Sequence, residues 1–216
     1  MIFNTQVRQS KNNSAAYFIS PHGFGHAARA TAVMAEIQRV LPSVHFEVYT
    51  KVPRWFFEQS LTSYFDYHSL LTDIGLIRKT SLHEDINKTL ESLDKFYPIE
   101  SSFVTTLAGE LRELKCRLVI SDISPMGIIA AKGAGIPSIL VENFTWDWIY
   151  EGYAEEYAAF YRHVDYLKKV FESADYHIQT EPVCCYRDAD LIVKPVSRKP
   201  RTSWPRYIMP ESLSAT

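Results

Sequence analysis

The sequence predicts an α/β protein with a mainly parallel, doubly wound sheet that carries helices on both faces. Two observations predict this fold class. Short apolar runs alternate along the chain with longer amphipathic stretches, which is typical of strands joined by crossover helices. The apolar runs are also continuous and bounded by proline or glycine, as expected for strands that are buried on both faces.

The first strand and helix follow a polar N-terminal tail, residues 1–14. Residues 15–20 form an apolar run that ends at Pro21, and they are predicted to be a strand. A helix is predicted from about His26 to Leu41, because apolar residues recur there at steps of three and four. Pro42 ends this helix.

The later elements continue the alternation as far as Val193. Strands are predicted at 44–49, 64–68, 117–121, 137–142 and 176–179, and helices from about 53, over 85–115 with a break at Pro98, over 126–133, and within 144–173. Right-handed crossovers leave few topologies for such an order, so residues 15–193 are predicted to form one Rossmann-like domain.

Residues 194–216 differ in character from the rest of the chain. Prolines recur in this segment with basic side chains between them, at Pro195, Pro200, Pro205 and Pro210. Proline at this density does not suit a central strand or a helix interior. The segment is predicted to be a proline-rich basic linker or tail, with a nucleic-acid-binding arm as the weaker alternative.

Composition and charge exclude several classes of protein. The chain of 216 residues is 46% hydrophobic and 22% charged, which is typical of a soluble globular protein. The net charge of −2 favours neither a nucleic acid nor an anionic membrane. No apolar run suits a signal peptide or a membrane span, and the three cysteines lack zinc-site spacing. We expect a cytoplasmic enzyme, or part of one, with reduced thiols and no metal.

The strongest candidate site is the glycine-rich turn after the first strand. Gly23 and Gly25 permit a tight turn and the close approach of a ligand, at the sheet edge where ligands of open α/β folds bind. His26 stands at the N-terminus of the following helix, whose dipole disfavours a charged imidazole. A neutral imidazole is suited to act as a general base, and His22 is predicted to contact the acceptor.

Two further groups of polar residues follow the ends of later strands. Asp122 would lie on the same sheet edge as His26 and orient its imidazole, and Ser124 would contact substrate, although either residue could instead cap the next helix. Asn143, Trp146 and Asp147 combine an aromatic face with polar groups, which suits a sugar or polyol. The alternative is that the aromatic residues belong to the core and that Asn143 caps a helix.

A dinucleotide site is a competing interpretation of the glycine-rich turn. Residues 23–28 fit the pattern GxGxxG/A, and Glu47 follows at the distance of the acidic residue that binds ribose. In a dinucleotide-binding domain this acidic residue ends the second strand. Glu47 instead lies inside the predicted strand, which weakens this interpretation.

Two blocks of sequence, ISPHGFGHAARA and LVISDISPMGIIAAKGAGIPSILVENFTWDWIY, resemble the N-terminal domain of GT-B glycosyltransferases. They are especially similar to the glycosyltransferase-like N-terminal domain of plant-type arabinose kinases. The resemblance covers residues 15–193 and implies that His26 is the general base and that Asp122 orients it. It also implies that an acceptor hydroxyl attacks a nucleotide sugar, without a cofactor or metal.

The resemblance also implies that most of the donor site lies in a C-terminal domain. This chain reaches the usual interdomain linker and ends at Thr216, so we expect it to need that domain, or a second chain, for transfer. Two alternatives remain open at this point: a non-catalytic carbohydrate-binding module and a dinucleotide-binding domain.

Overall fold

The computed structural model describes residues 13–198, and its strands fall into two sheets. The strands are β1 (Ser14–Ile19), β2 (His45–Thr50), β3 (Phe65–Ser69), β4 (Arg78–Thr80), β5 (His83–Glu84), β6 (Cys116–Asp122), β7 (Ser138–Glu142), β8 (Tyr176–Thr180) and β9 (Leu191–Val193). The main sheet has the order β3-β2-β1-β6-β7-β8-β9, and all of its neighbouring strands are parallel. The short strands β4 and β5 form a separate antiparallel pair.

Helices connect the strands of the main sheet. They are α1 (Phe24–Val40), α2 (Arg54–Glu58), α3 (Ile86–Phe96), α4 (Ser101–Glu113), α5 (Pro125–Ala134), α6 (Trp146–Ala154) and α7 (Tyr161–Glu172), with a 3₁₀ turn at Ala158–Phe160. Helix α5 illustrates how the local sequence determines where a helix begins and ends. Pro125 starts it, where a missing N–H costs nothing. Gly135 ends it in the left-handed conformation, with φ of 69°.

The predicted fold class is confirmed by this architecture. In β1, Ala15, Tyr17 and Ile19 belong to the core on one face of the sheet, together with residues of α1 and α2. Ala16 and Phe18 belong to the core on the opposite face, together with residues of α4 and α5. Both faces of β1 are therefore buried, which explains why residues 15–19 are continuously apolar.

Some details agree with the sequence-based expectations, and others were not predicted. The helical stretch predicted over 85–115 forms two helices, and the predicted break at Pro98 separates them. The β4–β5 pair and β9 were not predicted, because β4 and β5 are short, polar and exposed, and the apolar run of β9 is only three residues long. Residues 1–12 of the predicted tail and 199–216 of the predicted linker lie outside the described residues. None of the helices within 13–198 combines the length and hydropathy needed to cross a membrane.

The centre of the sheet places two loops side by side. Strands β1 and β6 are neighbours, Ile19 pairs with Asp122, and the Ser20 N–H donates to the Asp122 carbonyl at 3.2 Å. The chain leaves β1 toward one edge of the sheet and leaves β6 toward the other, so a crevice opens between their carboxyl ends. This crevice is where the two blocks of the family resemblance meet.

Gly127 in α5 provides a test of the packing that positions β6. A Cβ atom at Gly127 would lie 2.8 Å from Phe18 Cβ and 2.9 Å from Ser121 Oγ. We expect Gly127→Ala to lower the free energy of unfolding by about 1–3 kcal/mol, measured by urea denaturation, because the extra methyl group overpacks this contact. Gly109→Ala in α4 is the control, since no atom lies within 4 Å of the new Cβ. An equal or larger loss in the control would contradict this packing.

Candidate active site

His26 and Asp122 meet in the crevice at the centre of the sheet. His26 lies in the first turn of α1, and Asp122 is the last residue of β6. Their Nδ1 and Oδ1 atoms are 2.8 Å apart. Both residues are buried, with relative exposures of 8% for His26 and 0% for Asp122. The arrangement joins an imidazole to a carboxylate within hydrogen-bond distance, although 96 positions separate them in the sequence.

Arg29 binds the same carboxylate from the same helix. Its Nε donates to Asp122 Oδ2 at 2.7 Å, and its Nη2 donates to Oδ1 at 2.6 Å. Burial raises the pKa of Asp122, but the adjacent Arg29 charge and the hydrogen bonds from Arg29 and His26 outweigh that effect. The net result is a pKa below the usual value, so Asp122 is a carboxylate at neutral pH.

Arg29 also connects the crevice to the neighbouring strand ends. Its Nη1 donates to Asn143 Oδ1 at 3.0 Å and to Thr180 Oγ1 at 2.8 Å. Asn143 follows β7, and Thr180 is the last residue of β8. One guanidinium group therefore ties together α1 and the carboxyl ends of β6, β7 and β8.

A cleft of about 300 Å³ opens beside His26. Its lining residues are Gly25, His26, Arg29, Asn143, Phe144, Thr180, Glu181, Pro195 and Val196. The Phe144 ring stands edge-on to the His26 ring, with their centroids 5.7 Å apart. The presence of Pro195 and Val196 shows that the start of the predicted linker borders the cleft.

The segment after β9 is held against α2 beyond this point. The Arg198 guanidinium lies 4.4 Å from the centroid of the Phe56 ring, and its Nη1 donates to Ser60 Oγ at 2.7 Å. The chain therefore crosses the carboxyl edge of the sheet, from β9 at one end to α2 beside the opposite half.

His22 forms a second contact between a histidine and a carboxyl group. Its Nε2 lies 3.3 Å from Oδ1 of the fully buried Asp73, which also accepts a hydrogen bond from Ser20 Oγ at 3.2 Å. Burial, together with a smaller contribution from the nearby His26, lowers the pKa of His22 to about 4, although the contact with Asp73 acts in the opposite direction. Gly75 packs on this histidine so closely that a Cβ atom there would lie 2.6 Å from the His22 Nδ1.

Asp73 is a buried carboxyl group that favours its neutral form. Burial raises its pKa well above the usual value, the hydrogen bond from Ser20 and the nearby Trp146 indole lower it, and the Asp122 charge raises it again. Its Oδ2 and the Trp146 Nε1 both lack a well-formed hydrogen bond to other described residues. The indole lies near enough to lower the pKa of the carboxyl group, but the two groups do not form a hydrogen bond of good geometry.

The other predicted site residues lie at different depths. Gly23 provides the turn before α1 with φ of 87°. Ser124 is buried and donates to the Thr72 carbonyl at 3.1 Å. Trp146 is 6% exposed and packs edge-on to His22, with ring centroids 5.1 Å apart. Asp147 is 2% exposed and accepts from Arg187 Nη2 at 2.8 Å. Among the predicted residues, Gly25, His26 and Asn143 line the cleft, whereas Ser124, Trp146 and Asp147 are buried and do not belong to its lining.

Several residues of the site had no assigned role in the sequence-based prediction. Arg29 follows His26 by three positions and shares its helix face, so helical spacing was a usable signal. Thr180 ends a strand at the same sheet edge, so its position at a carboxyl strand end could have identified it, as it identified Asp122. Asp73 lies in a segment without regular structure, and no pattern in the sequence pointed to it.

Comparison with solved structures identifies the fold of this chain. The structure of UDP-glucose: anthocyanidin 3-O-glucosyltransferase in complex with UDP matches with a TM-score of 0.55 at 12% identity, over 90% of this chain and 55% of that chain. MurG from Acinetobacter baumannii matches with a TM-score of 0.48 at 15% identity, over 87% and 47% of the two chains. The glucosyltransferase match, together with the parallel sheet, shows that this chain has the fold of the N-terminal half of a GT-B glycosyltransferase, as the sequence resemblance predicted.

The sequence comparison identifies a particular relative. The chain is 32% identical to L-arabinokinase from Arabidopsis thaliana over 168 residues, which are 76% of this chain and 16% of that protein. The resemblance to the glycosyltransferase-like part of arabinose kinases is thereby confirmed. The chain spans about one sixth of the length of this curated relative. No protein-family profile matches the chain.

Arg29→Met tests the ion pair at the centre of the crevice. The substitution leaves the buried Asp122 carboxylate without its cationic partner, so we expect the free energy of unfolding to fall by about 3–5 kcal/mol. The measurement is urea denaturation at pH 7. Arg39→Met in the same helix is the control, because Arg39 pairs with Glu36 at the surface. We expect little change in the control, and similar losses in the two variants would contradict a special role for Arg29.

Asp73→Asn tests the neutral buried carboxyl group through its pH dependence. Because its pKa is raised, the folded protein retains a proton that the unfolded chain releases above about pH 4. This group's contribution to stability is therefore full below that pH and declines as the pH rises. Asparagine stays neutral, so we expect the variant to gain stability relative to the parent between pH 5 and pH 7, as measured by urea denaturation.

Asp165→Asn, at an exposed position of α7, is the matched control for this series. It removes an aspartate without touching the crevice, and we expect no comparable trend. A stability difference between parent and Asp73→Asn that stays constant from pH 5 to pH 7 would show that Asp73 is ionised in the folded protein.

Proposed function

We propose that this chain is the acceptor-binding half of a glycosyltransferase that moves a sugar from a nucleotide sugar to an acceptor hydroxyl group. One observation carries the proposal: the 2.8 Å contact between His26 Nδ1 and Asp122 Oδ1 at the edge of the cleft. A histidine held by a carboxylate beside a cleft is an arrangement that suits general-base catalysis.

In this mechanism the two ring nitrogens of His26 have different tasks. The Asp122 carboxylate accepts a hydrogen bond from Nδ1–H, which leaves Nε2 as the nitrogen that removes the proton of the acceptor hydroxyl. The acceptor oxygen forms a bond to the anomeric carbon of the sugar. The bond from that carbon to the diphosphate oxygen breaks, and the electron pair leaves with the nucleoside diphosphate. A single displacement of this kind inverts the anomeric configuration.

The surroundings of His26 suit an acceptor that has both hydroxyl groups and C–H faces. Asn143 offers an amide for hydrogen bonding, and Phe144 contributes a ring to the cleft wall. Phe24, which stands between the two loop glycines, is 50% exposed and stacks on Phe56 at a centroid distance of 4.9 Å. Aromatic faces next to polar groups are the usual means of binding a sugar or polyol. His22, with its low pKa, is a neutral hydrogen-bonding group at neutral pH.

The donor half of the site belongs to a second domain or chain in this proposal. The matched glucosyltransferase was solved with UDP, and this chain covers 55% of it. We expect sugars or polyols to bind this chain, and UDP-sugars alone to bind weakly or not at all, in calorimetric titrations. Tight binding of a UDP-sugar to this chain, with no binding of any acceptor, would contradict the division of the site.

His26→Ala tests the catalytic part of the proposal. With this chain joined to a donor-binding GT-B domain, we expect the substitution to lower the rate of nucleoside diphosphate release by about 10²–10⁴-fold, the usual contribution of a general base. The parent and His83→Ala, which changes an exposed histidine of the β4–β5 pair, are the controls. Equal rates in all three proteins would exclude His26 as the base.

A second candidate function is a carbohydrate-binding module without catalysis. The observation that favours it is that Arg29 donates to both oxygens of Asp122. This pairing neutralises the charge that would stabilise an imidazolium during proton transfer, and it brings Arg29 Nη2 within 3.3 Å of His26 Nδ1. If this candidate is correct, His26→Ala changes acceptor affinity but leaves every transfer rate unchanged.

A further inference from the structure

The first half of β2 and the start of β3 bring three metal-ligating side chains together. Glu47 pairs with Asp66 across the two strands, so their side chains extend from the same face, and His45 precedes Glu47 by two positions on that face. His45 Nε2, one Glu47 oxygen and one Asp66 oxygen all lie within 4.8 Å of one another. The group lies toward the amino ends of the strands, whereas His26 and Asp122 lie at the carboxyl ends.

The distances between these atoms match the requirements of a small divalent cation. His45 Nε2 lies 3.1 Å from Asp66 Oδ2 and 3.5 Å from Glu47 Oε1. A tetrahedral zinc ion with bonds of about 2.0–2.1 Å holds its ligand atoms about 3.4 Å apart. The two separations from His45 Nε2 lie on either side of that value. Three protein ligands would leave a fourth position for water.

The outer atoms of both carboxylates are held in place by neighbouring donors. Glu47 Oε2 lies 2.8 Å from His68 Nε2, and Asp66 Oδ1 accepts from the Tyr64 hydroxyl at 2.8 Å. Glu110 of α4 lies 3.3 Å from the other ring nitrogen of His68. Hydrogen-bonding partners of this kind orient the side chains that ligate a metal ion and raise the affinity of the site for the ion. They leave Glu47 Oε1 and Asp66 Oδ2 directed toward His45.

The charges of this group also favour a cation. Two carboxylates stand directly opposite each other on adjacent strands, which is repulsive when both are ionised. Glu47 is completely buried, whereas the His45 and Asp66 side chains are 14% and 27% exposed. A divalent ion can therefore enter from the solvent side, and it offsets the charge of a carboxylate that water cannot reach.

We propose that His45, Glu47 and Asp66 bind a divalent transition-metal ion, with Zn²⁺ as the best-matched probe. Imidazole nitrogen and carboxylate oxygen are ligands that Zn²⁺ accepts at this spacing. The ion would tie the edge strand β3 to β2 and so stabilise this side of the sheet. No sequence motif predicted the site, because the ligands come from two strands. Asp66 reaches His45 and Glu47 only through the register of β3 on β2.

Isothermal titration of the metal-free protein with Zn²⁺ tests the proposal. The neighbouring thiols Cys184 and Cys185 could bind zinc on their own, so the measurements use a Cys184→Ser, Cys185→Ser background. We expect one Zn²⁺ per chain and a rise of the melting temperature on binding. X-ray absorption should show nitrogen and oxygen ligands at about 2.0–2.1 Å and no sulfur.

Variants of the ligands locate the bound ion. We expect His45→Gln and Asp66→Asn each to lower the affinity at least about 10-fold. His83→Gln, which removes an exposed histidine, is the matched control and should bind as the parent does. Absence of Zn²⁺ binding, or an affinity unchanged by both ligand substitutions, would overturn the proposal.

A further variant and the parent spectrum keep the test decisive if a ligand variant does not fold. Tyr64→Phe removes the hydroxyl group that donates to Asp66, and Tyr64 is 62% exposed, so this variant retains the core. It should bind Zn²⁺ more weakly than the parent does. Two further results would overturn the assignment. One is an X-ray absorption spectrum of the parent that lacks imidazole scattering. The other is an unchanged affinity in Tyr64→Phe together with a spectrum that shows only oxygen ligands.

Discussion

The buried ion pair between Arg29 and Asp122 is the interaction on which the rest of the crevice depends. A carboxylate with no exposed surface is strongly unfavourable unless cationic and hydrogen-bonding partners surround it. Here the guanidinium contacts both of its oxygens and then reaches Asn143 and Thr180. The same contacts that offset burial of the charge therefore fix the relative positions of α1 and three strand ends, and the position of His26 follows from them.

The layered fold was predictable because burial on both faces leaves a clear trace in sequence. The β1 residues are apolar in succession because odd and even positions enter different cores, and breakers such as Pro21 and Gly135 mark the strand and helix ends. The pairing of His26 with Asp122 was also predictable, since parallel strands bring their carboxyl ends to one edge. Both inferences rest on periodicity and topology, which are properties of short segments and of their order.

What could not be predicted depends on contacts that short segments do not encode. Asp73 enters the site from an irregular segment, and its environment arises from Ser20, His22 and Trp146 on three other parts of the chain. The group of His45, Glu47 and Asp66 requires the register of β2 on β3, which sequence order alone leaves open. The aromatic residue Trp146 shows the opposite problem, because a composition suited to a sugar site is equally suited to a core.

The route of the chain after β9 has a thermodynamic consequence. Pro195 and Val196 form part of the cleft wall, while Arg198 is anchored on Phe56 and Ser60. A molecule in the cleft would touch the sheet and this exit segment at once. By linkage, any such molecule that favours the docked position of the segment is itself bound more tightly when the segment is docked. Binding of such a molecule in the cleft and docking of the exit segment would thus each stabilise the other.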